Sequence, residues 1–307
     1  MSTEVKENLL APPFEKIDIS TKTIIAHSNC EIDTALLFEK LPITKFSVVP
    51  KKRGRKRKEE KVDVNKNILP GSIITLKLGS NMRGVDLKPK KVSKNKTHWR
   101  NSMTVVMAID VNKMINFKIS KNGKFQLTGC KDDKHAEECI KYIWGYIFSL
   151  PNDGLYKIFG NELKIVFLTV MTNIDFNLGF MINRENLDEY INTKTSYNSL
   201  LETSFGYTGV NIKIPLKNQD DILLPTLYRE GNQWKTGGMN YSEYLSNLEN
   251  KEKEKIDKKQ RYNTFLVFHS GNVIFSSMNK KFMEPIYNEF LNIIKNCRGK
   301  IEEKLDK

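Results

Sequence analysis

The sequence predicts an α+β chain built from two copies of one unit. Three observations carry that prediction. The stretch Phe117-Lys-Ile-Ser-Lys-Asn-Gly-Lys-Phe-Gln-Leu-Thr-Gly-Cys130 reads as strand, tight turn, strand. In it Phe117 and Ile119 alternate with polar neighbours, Asn122-Gly123 supplies the turn, and Phe125 and Leu127 resume the alternation. A helical pattern follows at once: Ala136, Cys139, Ile140, Ile143 and Ile147 recur at three- and four-residue steps, with Asp132 or Asp133 available as N-cap. The same order returns near the C-terminus. Thr264-Phe-Leu-Val-Phe-His-Ser-Gly-Asn-Val-Ile-Phe-Ser-Ser277 is strand, turn, strand, and Met283, Ile286, Tyr287, Phe290, Leu291 and Ile294 mark a second amphipathic helix. The turn glycines Gly123 and Gly271 lie 148 residues apart, and element order, turn chemistry and helix phase all repeat.

Taken in order, residues 1–17 read as a flexible tail that ends after Pro12-Pro13. A strand through Ile24 leads into a helix from Asp33 to Leu41, stopped by Pro42. Residues 43–98 form a basic insertion in the first half, which spans 18–150. Its centre is Lys51, Lys52, Arg53, Gly54, Arg55, Lys56, Arg57 and Lys58, a run too charged to bury, suited to phosphate contacts or to an import receptor. Arg53-Gly54-Arg55 is similar to a minor-groove AT-hook core, but Lys56 stands where proline usually follows.

Leu69 to Leu78 reads as turn then strand, an addition within the insertion, and the strand at 102–109 belongs to the repeat. Pro151-Asn-Asp-Gly154 breaks the chain before the second half, 151–300. That half opens with a strand from Leu163, continues with a helix capped by Asn183 and a strand at 207–215, and is interrupted by an insertion at 216–261. Trp234 and Tyr241 of this insertion are expected to pack on the main body, the alternative being service to a partner, and 251–259 to form a short solvated helix or linker. Residues 301–307 read as a tail.

A chain of 307 residues can bury a substantial core. Fifty Lys and Arg against 36 Asp and Glu give a net charge of +14, which favours a polyanionic partner through counterion release. The four cysteines show no C-x-x-C spacing, which points to a reducing compartment and away from structural zinc. The four histidines have no metal-ligand spacing, and no Gly-rich phosphate loop, G-x-S-x-G or H-E-x-x-H occurs. Asp132-Asp133 sits where a helix N-terminus favours acids, and Asp33 and Asp175 read as equivalent caps. No enzyme, metal or cofactor is expected. No apolar run approaches a membrane span, and the polar start carries no signal-peptide pattern.

In its motifs the chain resembles the TATA-box-binding protein family, in the divergent form of large DNA viruses. Gly123-Lys124-Phe-Gln-Leu-Thr128-Gly129-Cys130-Lys131 is similar to the family's "S-G-K-x-x-x-T-G-A-K", and Phe268-His-Ser270-Gly271-Asn272 to its second copy. Tyr207-Thr-Gly209-Val-Asn-Ile-Lys-Ile-Pro215 looks like the strand "F-P-G-L-I-Y-R-M-x-x-P". The similarity covers roughly 20–41, 99–149, 163–215 and 262–297.

The resemblance implies a saddle: two pseudo-symmetric halves forming one curved antiparallel sheet, with helices on the convex face. It implies a transcription initiation factor that lays the concave face on A·T-rich promoter DNA, kinks it with apolar wedges, and recruits a B-type initiation factor and a multisubunit RNA polymerase. The wedges fall on Tyr207 and Phe268 in the second half, and on Ile119 with Ser102 or Met103 in the first. Thr21 and Phe167 stand at the family's central asparagines, and Lys124, Thr128 and Lys213 join them as DNA-contacting residues. A place in the host cytoplasmic virus factory, the nucleus or the virion follows by the same analogy. The competing reading keeps the fold as a protein-interaction subunit of the viral transcription complex, without DNA sequence reading.

Overall fold

A computed structural model describes residues 10–47, 68–87, 101–110, 113–202, 208–216, 222–248, 250–257 and 260–303. The basic run 51–58 and Tyr207 lie outside them. In chain order the elements are β1 (Ile19–Ser28), β2 (Cys30–Ile32), α1 (Thr34–Lys40), β3 (Ile73–Leu78), β4 (Asn81–Gly84), β5 (Ser102–Asp110), β6 (Lys113–Ser120), β7 (Lys124–Cys130), α2 (Asp133–Ser149) and β8 (Tyr156–Ile158). There follow β9 (Leu163–Asn177), α3 (Arg184–Lys194), β10 (Asn198–Glu202), β11 (Gly209–Pro215), β12 (Leu223–Glu230), β13 (Gln233–Asn240), α4 (Tyr241–Ser246), α5 (Asn250–Asp257), β14 (Tyr262–Phe268), β15 (Asn272–Ser277) and α6 (Met283–Ile301). The chain divides into two bodies. The first takes 23–168 with 224–239, and the second takes 1–22, 169–223 and 240–307.

Each body is an antiparallel sheet with helices packed on one face. In the first the strands run β1-β7-β6-β5-β3-β4, and in the second β9-β15-β14-β11-β10. With β2 and the edge strand β4 left out of the count, both orders read first, fifth, fourth, third, second. The strand at 73–78 is therefore a member of the repeat, since it pairs with β5 as β10 pairs with β11. This corrects its expected place outside the repeat. The basic insertion intervenes between α1 and this strand, so spacing from α1 hides the correspondence.

Hydrogen bonds repeat with the fold. Ser28 N–H donates to Gly123 O at 3.0 Å and Ile32 N–H to Lys121 O at 2.9 Å. In the second body Leu178 N–H donates to Gly271 O at 2.9 Å and Ile182 N–H to His269 O at 2.8 Å. These bonds bring each hairpin turn onto the chain leaving the first strand. Gly123 and Gly271 have φ of 68° and 78°, and a Cβ on either would stand 2.3 Å from a carbonyl oxygen, of Cys30 and of Phe180 respectively. Only glycine meets both demands, which is why the turn chemistry recurs in the sequence. The next helix is capped alike: Asp33 accepts from Ala35 N–H and Leu36 N–H, and Asn183 from Asn186 N–H. Asp33 thus corresponds to Asn183. Asp175, expected as the second cap, is an exposed residue inside β9.

Strand alternation and helix phase meet in each core. In the first body Ile140, Ile143 and Trp144 of α2 join Met103, Val105, Phe117, Ile119, Phe125 and Leu127. In the second, Phe265 stacks on Phe275 at 4.0 Å and on Phe290 of α6 at 4.1 Å between ring centroids. Each such side chain contributes about 1.5–3 kcal/mol by leaving water. Residues 10–17 do not behave as the expected flexible tail. Ala11, Phe14 and Ile17 are buried, and Tyr287 Oη donates to Pro12 O at 2.6 Å. Of the expected C-terminal tail, Ile301 is buried and Glu302 bridges to Ile182.

The second insertion is structured in part. Its hairpin β12–β13 joins the first body, pairing Thr226 to Arg229 with Leu163 to Val166. Trp234 packs on that core and Tyr241 is buried in the second body, as expected of both. The helix α5 falls on the expected solvated segment.

Candidate nucleic-acid interface

Because successive residues of a strand face opposite ways, a strand that feeds a core turns its alternate residues to the opposite face. In the first body one row across that face is Lys77, Thr104, Lys118 and Gln126, in mutual register. The next is Val106, Asn116 and Thr128, and Ser102 pairs with Ser120 at the end nearest the turn. Apart from Val106, these positions hold cations, hydroxyls and amides, and none holds a carboxylate. Lys77 is held by Asp86 at 2.8 Å.

The second body differs. Its central row is Leu200, Asn211, Leu266, Ile274 and Asp175, followed by Asn198, Lys213, Thr264, Ser276 and Asn173. Leu200 is 62% exposed. At the end nearest the turn Gly209 pairs with Phe268. A Cβ on Gly209 would meet Leu266 Cδ1 at 2.8 Å. The missing side chain thus seats Leu266. Asp175, Asn177, Thr208, Phe268, Asn272 and Ile274 line an open groove of about 820 Å³. Asn177 Nδ2 donates to Asn272 Oδ1 at 2.7 Å, and Asn272 Nδ2 to Ser270 Oγ at 3.0 Å.

The expected site residues separate by face. Phe268, Lys213, Lys124 and Thr128 lie on open faces; Thr128 Oγ1 donates to Asn116 O at 2.9 Å, and Lys213 Nζ stands 5.9 Å from the Tyr262 ring centre. Thr21 is half-buried in β1. Met103 and Ile119 do not join them. They pair with each other, point into the first core and are fully buried, so neither is a wedge. A one-residue slip in a strand sends a side chain to the other face. Counting back from the turn glycine avoids the slip: Gly271 minus three is Phe268, and Gly123 minus three is Ser120. Phe167, the expected partner of Thr21, is likewise buried in the first core, and the spacing of 150 between Ser28 and Leu178 pairs Thr21 with Met171.

All four cysteines are buried. Burial pushes the Cys30 and Cys297 thiols up to about 11 and Cys139 further, which keeps them neutral and unreactive. Among the described residues no three His, Cys, Asp or Glu side chains gather as a metal site. No described helix is long and apolar enough to cross a membrane.

No family model matches the chain. The chain is 24% identical to Uncharacterized protein 335L of Invertebrate iridescent virus 6 over 317 aligned positions, covering 96% of this chain and 88% of that one. It is 28% identical over 171 residues to the TATA-box-binding protein-like protein of Acanthamoeba polyphaga mimivirus, covering 48% of this chain and 46% of the relative. The doubled α+β unit and the mimivirus relative make the chain similar to a divergent TATA-box-binding-protein-like protein of large DNA viruses. Among solved structures, Methanococcus jannaschii TBP superposes with a TM-score of 0.42 at 14% identity, covering 93% of this chain and 99% of that one.

Proposed function

We propose that this protein is a DNA-binding transcription initiation factor. It would lie in the minor groove of promoter DNA, bend it, and recruit a B-type initiation factor and a multisubunit RNA polymerase. The observation that carries the reading is the open face of the first body, where the paired positions named above on four strands are lysines, hydroxyls and amides but for Val106, with no carboxylate among them. Such side chains contact phosphate and sugar and fix a protein on a duplex. In the second body Phe268 offers a ring at a strand end for insertion between base steps.

Charge distribution supports the same reading. Residues 48–67 and 88–100 hold fifteen of the fifty Lys and Arg and only three of the 36 acids, which leaves the rest of the chain near neutrality. Those two segments return to the described chain at Ile68 and Asn101, next to β3 and β5 of the first body. Mobility shift of an A·T-rich duplex at two salt concentrations tests the function. Binding that falls steeply with salt supports it. A folded chain that shifts no duplex at low salt contradicts it.

A second reading, a protein-interaction subunit, draws on Leu200, Leu266 and Ile274, the three apolar members of the central row on the open face of the second body. Unchanged duplex binding after substitution of these three would favour it for that face.

A further inference from the structure

The groove beside Phe268 contains a carboxylate that the second body leaves unneutralised. Asp175 is exposed on β9, in register with Ile274, which is itself in register with Leu266. It lines the same groove as Phe268, Asn177 and Asn272. No ion pair to it occurs among the described residues. The spacing of 150 puts Ile25 at the corresponding place of the first body, so the acid belongs to one body alone.

An acid on a face that meets DNA repels phosphate, so its presence asks what it could contact favourably. An ionised carboxylate only accepts hydrogen bonds. In the minor groove A·T pairs present only acceptors, adenine N3 and thymine O2, whereas a G·C pair adds one donor, the guanine N2 amino group. Asp175 against an A·T pair therefore sets acceptor against acceptor in a site with little water. Against guanine it accepts a charge-assisted bond, the stronger kind. The oxygens of the neighbouring amides each already accept one bond and are neutral, which makes them weaker rivals for that donor than the carboxylate. Asn177 Nδ2 is engaged with Asn272 Oδ1, and Asn177 Oδ1 accepts from Gly179 N–H at 2.6 Å.

We propose that Asp175 is a specificity residue that reads guanine: the open face of the second body selects a G·C pair, through its N2 amino group, beside the step that Phe268 enters. The inference rests on the minor-groove reading above and narrows its sequence preference from uninterrupted A·T to A·T with one guanine.

The test uses the full chain and a set of A·T-rich duplexes in which a G·C pair is moved one position at a time. Matched duplexes carry inosine for guanine, which removes the N2 amino group and leaves the major groove unchanged. The expected result is one position at which guanine binds about tenfold tighter than inosine. Asp175→Ala should abolish that ratio and raise affinity for the all-A·T duplex, with thermal unfolding confirming the fold. If no position distinguishes guanine from inosine, or if the ratio survives Asp175→Ala, the assignment to Asp175 is wrong although DNA binding stands. Absence of binding to every duplex would overturn the assignment together with the function it rests on.

Discussion

Ser120 occupies in the first body the place that Phe268 occupies in the second. Each stands three residues before a left-handed turn glycine, and each pairs across the open face with the first residue of a strand, Ser102 or Gly209. On the proposed function, a ring at one place and a hydroxyl at the other would give the second body, and not the first, a wedge among these two described positions.

This asymmetry gives the first prediction. With 2-aminopurine placed along a bound duplex, fluorescence should rise at one step for the natural chain and at none for Phe268→Ala. Affinity of that variant should fall by about tenfold, the scale of one base–aromatic stacking interaction. Ser120→Phe should create a second unstacked step. Two unstacked steps with the natural chain would refute the single wedge.

The second prediction concerns the turns. Alanine at 123 or 271 would take up a left-handed φ and bring its Cβ against a backbone oxygen at 2.3 Å. Each substitution should cost more than about 1 kcal/mol and lower the unfolding midpoint by several degrees. Alanine at Gly145, a helix position with nothing near its Cβ, should instead leave stability unchanged or raise it. Equal effects at all three positions would deny the turns their special role.

Much of the fold is legible in the sequence because the repeat is written in strong local signals. Glycine turns, period-two strands and helix caps mark the hairpins, α2 and α6. The strand at 73–78 is visible there, but its place in the sheet is not, since pairing with β5 depends on contacts across the basic insertion. The site is less legible. Phe268 can be found from the Ser270-Gly271 turn beside it, whereas Ile119 is misassigned when apolarity takes precedence over strand phase. Asp175 resembles a cap by its distance to the helix; the strand runs on to Asn177, which places the acid on the open face.

The third prediction is of pH. Burial raises the Cys30 and Cys297 thiols from an ordinary 9.0 to about 11 in the folded chain. Folded-state values above the unfolded one mean that the folded state binds more protons between them. This contribution to stability is complete below about 9 and is lost as pH rises through about 11. Thermal unfolding followed across that range should show a falling midpoint, reduced in Cys30→Ala relative to the natural chain. A midpoint flat from 9 to 11 would contradict the burial of these thiols.

A fourth prediction separates general attraction from reading. Neutralising Lys51, Lys52, Arg53, Arg55, Lys56, Arg57 and Lys58 should weaken binding to all duplexes alike and flatten the salt dependence, roughly by one unit of slope for each phosphate that the run neutralises. An effect confined to one duplex sequence would assign the run to sequence reading. Loss of nuclear import with binding unchanged would assign it to targeting.

The most direct measurement sets the open faces against the helix faces. Lys118→Glu and Lys213→Glu reverse a charge on the open face of each body, and Lys295→Glu does so on the exposed side of α6. Titration of an A·T-rich duplex should show each open-face variant binding at least about tenfold more weakly with a reduced salt slope, and the helix variant close to the natural chain. Equal losses in all three variants would reduce the effect to net charge, and losses confined to Lys295→Glu would place the DNA on the helices and contradict the account.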